Sequence, residues 1–217
     1  MKNWTREEKI ELLLTTIVCL IPLVAGLILY PQLPDKIVTH WDINGNPNGW
    51  SNKTTGILIL PLSMVVLNIL FPFLLRVDPK YENMDAKLKA VAHWSIPVIA
   101  VCCSGGTLAA AMGKSVRIEV IIPMIVGAVL VLIGNYLPKT KQSYTMGIKL
   151  PWTLNSEENW NHTHRFGGYV WVIGGLLIMI SPLISSNGVI MFAGIIIAVL
   201  LPCIYSYLYY LKEKKEQ

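Results

Sequence analysis

A histidine and an aspartate two residues apart, His40 and Asp42, are the first residue types in this chain that suggest chemistry. They flank Trp41 and precede Trp50 in a segment rich in turn-forming residues. Imidazole and carboxylate groups bind metals and carry protons, so the pair suggests a metal-binding or proton-responsive contact. Zinc usually takes three or four protein ligands, however, and nothing nearby in the sequence supplies the others. We therefore interpret the pair as part of a binding surface and predict no metal and no cofactor.

A second group of aromatic and basic residues lies farther along the chain. Trp160, His164, Gly167 and Trp171 follow the spacing of one helical face, which predicts a helix whose packed side includes all four. Such a face would run from the membrane surface into a membrane-spanning segment. The start of this helix is open at the sequence level. Asn155 and Glu158 resemble a capping box, and either Thr153 or Ser156 could be the cap instead.

The elements that must hold these residues follow from the distribution of charge. Charged residues make up 14% of the 217, against about 25% in soluble domains. Five stretches carry no formal charge: 12–30, 54–75, 90–113, 120–138 and 166–211. About 20 helical residues cross a bilayer core, so four stretches fit one span each and the longest fits two. This pattern excludes a soluble enzyme, a disordered chain and a disulfide-rich secreted scaffold.

We therefore predict an all-α integral membrane protein with six transmembrane helices. The longest stretch is interrupted at the polar turn Ser185-Ser186-Asn187-Gly188. Unpaired backbone groups are too costly in lipid, and solid apolar runs lack the alternation of a barrel, so the spans must be helical. The predicted boundaries are 10–30, 56–76, 88–111, 116–137, 166–185 and 189–211.

The basic residues orient the spans. Six spans place both termini on one side, and 14 of the 18 Lys and Arg residues fall there. The opposite side holds Lys36, Lys53, Lys114 and Arg117. By the positive-inside rule the termini are cytoplasmic, which leaves a structured external loop at 31–55 and a structured cytoplasmic loop at 138–165. Because the basic residues are spread over several short segments, we expect no direct binding of nucleic acid.

The first apolar run is longer than a typical signal-peptide core, and no small-residue cleavage motif follows it. We therefore predict no cleaved signal peptide. The chain divides into an N-terminal membrane domain, 1–87, with spans one and two, and a second membrane domain, 88–217, with spans three to six. The few polar residues within the spans include Asn68, His93 and Glu119, which we interpret as interhelical hydrogen bonds or interfacial charge.

Both loops resemble a known family. The cytoplasmic loop and its flanks carry G-N-Y-L-P-K at 134–139, G-I-K-L-P-W-T-L at 147–154 and W-N-H-T-H-R-F-G-G at 160–168. These motifs resemble the SdpI family, bacterial membrane proteins named for immunity to a secreted killing peptide. The external loop, with L-P-D-K-I at 33–37 and G-N-P-N-G-W at 45–50, resembles the uncharacterised domain that commonly precedes it.

The resemblance implies a non-enzymatic immunity protein in the bacterial cytoplasmic membrane, which protects the producing cell against a secreted peptide toxin. It also implies a second role, a receptor that holds a small winged-helix transcriptional repressor at the membrane. We assign external binding to His40, Trp41, Asp42, Gly45, Trp50 and Lys53. We assign cytoplasmic binding to Asn135, Gly147, Lys149, Pro151, Trp152, Thr153, Trp160, His164 and Arg165.

Two other functions stay open at the sequence level. Spans one to three and four to six run in opposite senses, as in transporters built from inverted repeats, although the halves show no sequence similarity. The other alternative is a membrane enzyme that uses His40 and Asp42 at the outer surface. The chain has no H-E-x-x-H, no G-x-S-x-G and no phosphate-binding loop, so we predict no enzymatic activity.

Overall fold

The computed structural model describes residues 4–184 and 188–216. Within these residues, six helices are long and apolar enough to cross a membrane. They are α1 (Arg6–Leu29), α2 (Lys53–Arg76), α3 (Ala86–Ala111), α4 (Ile118–Tyr136), α6 (Glu157–Ile184) and α7 (Val189–Glu216). A short helix, α5 (Pro151–Asn155), precedes α6, and the strands β1 (Lys36–Trp41) and β2 (Pro47–Asn52) connect α1 to α2. The predicted helical membrane fold with six spans is confirmed.

The surfaces of these helices are apolar, as a lipid environment requires. Leu13 on α1 is 59% exposed, Ile28 on the same helix is 69% exposed, and Leu183 on α6 is 88% exposed. Soluble proteins rarely expose contiguous apolar surface on this scale, because water penalises it. Lipid tails remove that penalty, so the exposed leucines and isoleucines are the surface expected of membrane-spanning helices.

The largest difference from the predicted boundaries is at the fifth span. We predicted its start at residue 166, whereas α6 begins at Glu157 and continues into the span without a break. The Ser156 hydroxyl accepts a hydrogen bond from the Asn159 backbone N–H at 3.0 Å, so Ser156 is the cap among the alternatives left open. In the predicted turn at 185–188, the first three residues lie outside the described residues, and Gly188 forms a turn before α7.

Contacts divide the chain into two compact units. The first unit joins Met1–Phe73 to His93–Ile122, and the second joins Leu74–Ala92 to Pro123–Gln217. Because α2, α3 and α4 each contribute residues to both, the units are interleaved along the sequence. The predicted domains, 1–87 and 88–217, are continuous segments of sequence and differ in kind from these contact-based units, so that division stays a prediction.

The core of the first unit lies in two small apolar clusters. One contains Leu33, Ile37, Ile57 and Leu108, and the other contains Cys19, Ile96 and Ala100. Ile37, on β1, is 1% exposed, so the first cluster packs β1 against α2 and α3. Burying a side chain of this size stabilises the packed arrangement by about 1.5–3 kcal/mol.

In the second unit, α4 and α6 approach each other closely at paired glycines. A Cβ on Gly127 would lie 2.5 Å from the Gly175 carbonyl oxygen, and a Cβ on Gly175 would lie 2.6 Å from the Gly127 carbonyl oxygen. Such contacts leave no room for a side chain. Small residues at helix interfaces give the close packing that drives association in membranes, where the hydrophobic effect contributes little between helices.

Candidate functional site

The first candidate surface is the hairpin, residues 36–52, which comprises β1, β2 and their turn. The strands pair antiparallel, with Val38 opposite Trp50 and Trp41 opposite Pro47, and the register shifts on both sides of His40. The turn contains Asn44 and Gly45, and Gly45 has a φ of +81°, a conformation that favours glycine. The Asn-Gly pair thus forms the turn of a hairpin, which lies within the loop that we predicted to be structured at 31–55.

Asp42 builds this turn. Its carboxylate accepts hydrogen bonds from the backbone N–H groups of Asn44, at 2.9 Å, and Asn46, at 2.8 Å. The hydrogen bond from the Asn46 N–H is the main reason that the pKa of Asp42 lies below its usual value. These contacts give Asp42 a structural role in the turn, and its assignment to external binding stays a prediction.

His40 lies on the exposed side of the hairpin. Its Nδ1 donates a hydrogen bond to the Asn48 side-chain oxygen at 2.5 Å, across the two strands. Among residues 4–184 and 188–216, no group of three or more His, Cys, Asp or Glu side chains could hold a metal ion. His40 is therefore a surface residue whose ring is oriented by its hydrogen bond to Asn48.

The hairpin packs on the helices of the first unit at both of its ends. At the turn, a Cβ on Gly45 would lie 2.8 Å from the Glu119 carboxylate, so the turn lies directly on the start of α4. At the base, the Lys53 ammonium lies 3.4 Å from the Asp35 carboxylate and 4.9 Å from the centre of the Tyr30 ring. The hairpin is thus a cap fixed to its unit.

These packing contacts separate the six predicted external residues into two groups. Trp41, Asp42, Gly45 and Lys53 are partly buried and contribute to the hairpin framework. His40 is exposed, and Trp50 is 58% exposed although it is an aromatic residue. His40 and Trp50 are therefore the two predicted residues that the hairpin presents to solvent.

The second candidate surface is the connecting segment, residues 137–156, between α4 and α6, in the second unit. Asp78, from the turn between α2 and α3, organises its first half and is 5% exposed. One carboxylate oxygen of Asp78 accepts four hydrogen bonds of 2.7–2.8 Å, from the hydroxyls of Ser143 and Thr145 and the backbone N–H groups of Tyr144 and Thr145. Because all four donors converge on one charge, they hold residues 143–145 in a single conformation.

Burial by itself raises the pKa of Asp78. The hydrogen bonds from Ser143, Lys80 and Thr145 outweigh this effect and lower the pKa below the usual aspartate value. Gln142 extends the same network, because it accepts from the Lys80 ammonium and donates to the carbonyl oxygens of Thr153 and Leu154 at 2.9 and 2.8 Å. The turn between α2 and α3 is thereby linked to α5.

Trp160 and His164 lie on the predicted inner face of α6 and stack on each other, with ring centres 3.9 Å apart. The Trp160 indole N–H donates to the Thr140 carbonyl at 2.7 Å. His164 Nδ1 donates to the Trp160 carbonyl, and its Nε2 accepts from the Ile148 N–H, both at 2.8 Å. This pair of bonds requires the neutral imidazole with the hydrogen on Nδ1.

A third network joins the connecting segment to α7. The Trp152 indole N–H donates to the Ser206 hydroxyl at 2.9 Å, and that hydroxyl donates to the Asn159 side-chain oxygen at 2.7 Å. The Ser156 hydroxyl donates to the Glu213 carboxylate at 2.6 Å. The start of α6 and the end of α7 are therefore held together by buried and part-buried polar groups that hydrogen-bond to one another.

These contacts surround a groove of about 750 Å³. Its lining residues are Pro151, Trp152, Asn155, Ser156, Glu158, Tyr210, Glu213 and Lys214. Trp152 and Tyr210 stack with ring centres 5.7 Å apart, and two carboxylates lie beside this aromatic pair. An aromatic surface next to carboxylates is chemically suited to a cationic side chain.

The nine residues predicted for cytoplasmic binding differ in how far their side chains are exposed. Thr153, Trp160 and His164 are buried, and their polar groups form hydrogen bonds inside the second unit, so their assignment to cytoplasmic binding stays a prediction. Gly147 has a φ of +114° and lies against His164, so it is required by the packing. The exposed residues of the group are Asn135, Lys149, Pro151 and Arg165, and Trp152 is half-buried at the groove.

The sequence analysis missed the residues that hold the connecting segment in place. Asp78, Gln142, Asn159, Ser206 and Glu213 are scattered over 135 positions and form no motif. One feature of the sequence indicated a role for Asp78. It is an aspartate followed by proline just after an apolar span, where a charge without hydrogen-bond partners is costly.

Comparisons with known proteins fit this arrangement. Residues 139–206 match the SdpI/YfhL protein family, and residues 17–65 match a domain of unknown function, DUF1648. The chain is 29% identical over 198 residues to the protein named "Immunity protein SdpI" of Bacillus subtilis (strain 168), covering 90% of this chain and 93% of that protein. No solved structure matches the chain. With its six spanning helices and these matches, the chain is a multi-pass bacterial membrane protein that is similar to the SdpI/YfhL protein family over residues 139–206.

Proposed function

We propose that this chain is a non-enzymatic membrane immunity protein that protects the producing cell against a secreted toxic peptide. The observation that carries the proposal is the similarity to an immunity protein, which extends over 90% of this chain and is therefore not confined to one module. A similarity of this extent includes most of the spans and of the two loops, which are the parts needed to act in the same way.

In this proposal the termini are cytoplasmic and the hairpin lies outside the cell. The excess of Lys and Arg on the side of the termini supports that orientation. A direct test uses Asn48→Cys, at an exposed hairpin position, and labelling of intact cells with a maleimide that does not cross membranes. Labelling without permeabilisation supports the orientation, and labelling only after permeabilisation overturns it.

The hairpin is the surface that would meet the peptide. It is rigid, since its two ends pack on the first unit, and it presents Trp50 and His40 outward. Exposed aromatic residues on a fixed backbone bind partners at a low entropic cost. A toxin that acts on membranes must carry apolar surface, for which an exposed indole is a suitable partner.

The test is survival of cells that lack their own copy of the gene and express variants of this chain. Trp50→Ala and His40→Ala should reduce protection against the secreted peptide while the protein remains at wild-type levels in the membrane. Ile43→Ala is the matched control, because Ile43 is 44% exposed in the same hairpin and belongs to neither group of predicted contacts. Full protection by both alanine variants would contradict the proposed role of the hairpin in binding the peptide.

A second role, holding a small winged-helix repressor at the membrane, would use the surface around the connecting segment. Lys149 and Arg165 are exposed there, and the groove beside Trp152 is large enough to accept side chains of a protein partner. The test follows a fluorescent fusion of the host's repressor. Lys149→Glu and Arg165→Glu should release it from the membrane, whereas Lys141→Glu, at an exposed control position, should not. Retention by all three variants would contradict the role.

A further inference from the structure

The groove between the start of α6 and the end of α7 is lined by two carboxylates. Glu158 lies in the first turn of α6, and Glu213 lies in the last turn of α7. Among residues 4–184 and 188–216, no lysine, arginine or histidine nitrogen lies within ion-pair distance of either carboxylate. Lys214 also lines the groove, so two carboxylates and one ammonium give the lining a net charge of −1. The groove therefore favours a ligand of positive charge.

Neutral neighbours hold both carboxylates in position. Glu213 accepts from the Ser156 hydroxyl at 2.6 Å on one oxygen and from the Asn159 amide at 3.4 Å on the other. Glu158 accepts from the Tyr209 hydroxyl at 2.5 Å. These three donors orient the carboxylates and leave their negative charges in place. Because an ionised carboxylate can accept about four hydrogen bonds, each group retains capacity for further donors.

The aromatic part of the lining is also fixed. Trp152 and Tyr210 stack with an angle of 22° between their planes, and Tyr207 lies against Trp152 with ring centres 5.3 Å apart. The Trp152 indole N–H donates to Ser206, which holds the ring at the edge of the groove. Aromatic rings attract cations through the negative potential of their faces, and tryptophan does so most strongly. The rings and the carboxylates therefore favour the same kind of ligand.

A guanidinium group matches this lining best among the cations of proteins. It is planar, so it stacks on aromatic rings, and its fork of N–H donors matches a carboxylate. The volume of about 750 Å³ lies in the range of sites that enclose a ligand. Building on the proposed cytoplasmic role of this surface, we propose that the groove binds an arginine side chain of a cytoplasmic protein partner. The guanidinium lies beside Trp152 and Tyr210, and Glu158 and Glu213 match its charge.

Phospholipid headgroups also carry cations and lie near the ends of spanning helices. In such a headgroup the ammonium is joined to a phosphate by a short linker. A bound headgroup would therefore bring a negative charge close to Glu158 and Glu213, and like charges repel. An arginine side chain brings its charge on an uncharged stem, so the two carboxylates favour a protein ligand over a lipid.

The first experiment measures binding of small probes to the full chain, purified with ¹⁵N-labelled tryptophan in an uncharged maltoside detergent. The probe is Nα-acetyl-arginine amide, and Nα-acetyl-citrulline amide is its uncharged analogue of the same shape. The NMR signal of the Trp152 indole N–H, identified by its loss in Trp152→Phe, should shift saturably with the arginine probe and not with the citrulline probe. Equal shifts with both probes, or no shift with either, would overturn the proposal.

Variants of the lining locate the bound probe. Glu158→Gln keeps an acceptor for the Tyr209 hydroxyl and removes the charge, so it should weaken binding of the arginine probe by about threefold, the effect of one accessible ion pair. Glu157→Gln is the matched control, because Glu157 is exposed, adjacent and outside the lining. An equal loss in both variants would contradict binding in the groove. Glycerophosphoethanolamine serves as a soluble headgroup probe, and tighter binding of it than of the arginine probe would identify a lipid as the occupant and overturn the proposal.

A second experiment separates this proposal from the receptor role on which it builds. In cells with the fluorescent fusion of the host's repressor, Glu158→Lys should release the fusion from the membrane, and Glu157→Lys should retain it. Retention by Glu158→Lys together with release by Lys149→Glu would overturn the groove proposal and leave the receptor role standing. If the wild-type chain held no repressor at the membrane, the receptor role would be contradicted, and saturable binding of the arginine probe would still support the groove.

Discussion

The Ser143 hydroxyl donates a hydrogen bond of 2.7 Å to the Asp78 carboxylate across 65 positions of sequence. This contact places the charged Asp78, from the turn between α2 and α3, at the centre of the connecting segment. The same carboxylate oxygen accepts three further hydrogen bonds there. The connecting segment has little regular structure outside α5, so its conformation depends on a few such side chains.

Replacing Asp78 with asparagine should destabilise the protein by about 1–3 kcal/mol, because an amide cannot satisfy four donors that converge on one oxygen. Thermal unfolding of the purified protein in detergent measures the effect. Asp35→Asn is the matched control, since the Asp35 side chain is 97% exposed and its ion pair with Lys53 contributes little. Equal melting temperatures for the two variants would show that Asp78 does not organise the segment.

The lowered pKa of Asp78 predicts a dependence of stability on acidity. Because the folded state holds this carboxylate ionised below the usual aspartate pKa of about 3.9, its contribution is complete above that value. The contribution is lost as the pH falls through the lowered pKa. Melting temperatures recorded from neutral to acidic pH should therefore fall less steeply for Asp78→Asn than for the wild-type protein, and parallel curves would refute the prediction.

Gly147 permits a very close approach in the second unit. A Cβ there would lie 2.5 Å from His164 Nε2 and 2.7 Å from the Trp160 ring, and the φ of +114° is strained for any other residue. Gly147→Ala should therefore destabilise the protein by more than about 3 kcal/mol, or abolish folding, as judged by yield and melting temperature.

Gly174→Ala is the matched control for this substitution. Gly174 lies within α6, and a Cβ there meets nothing within 4 Å. Alanine at this position should leave stability unchanged or raise it by up to about 1 kcal/mol, because alanine is the better helix former. A similar loss in both variants would mean that the second unit does not depend on the contact between Gly147 and His164.

The hydrogen bond between the Trp152 indole and Ser206 should also contribute measurably. Trp152→Phe keeps one aromatic ring but removes the donor and the second ring of the indole, so we expect a loss of at least about 0.5–1.5 kcal/mol in thermal unfolding. Trp50→Phe, at an exposed position of the hairpin, should have almost no effect on stability. If the two losses were equal, the bond to Ser206 would not be a significant contact.

The spans and the hairpin could be predicted because their signals are local. Charge-free runs of about 20 residues identify helices in lipid, and the Asn44-Gly45 pair identifies a tight turn. The inner face of α6 was likewise evident from the spacing of Trp160 and His164, although spacing does not tell whether a face meets a partner or its own chain.

The networks around Asp78 and Glu213 could not be predicted in this way. Their members are polar residues of ordinary type, and the contacts that join Asp78 to Ser143 and Glu213 to Ser156 span more than fifty positions of sequence. Pairing of such residues depends on how the helices pack, which no single segment encodes. For the same reason the burial of Thr153, Trp160 and His164 within the fold could not be predicted.

The central claim is immunity, and the most direct measurement is the survival of the bacterium after deletion of this gene. The deletion strain is exposed to the peptides secreted by its parent, with and without plasmid-borne copies of the chain. We predict that cells without the gene are killed, that the wild-type chain restores survival, and that the variant lacking both His40 and Trp50 side chains does not. Survival of the deletion strain equal to that of its parent would contradict the account.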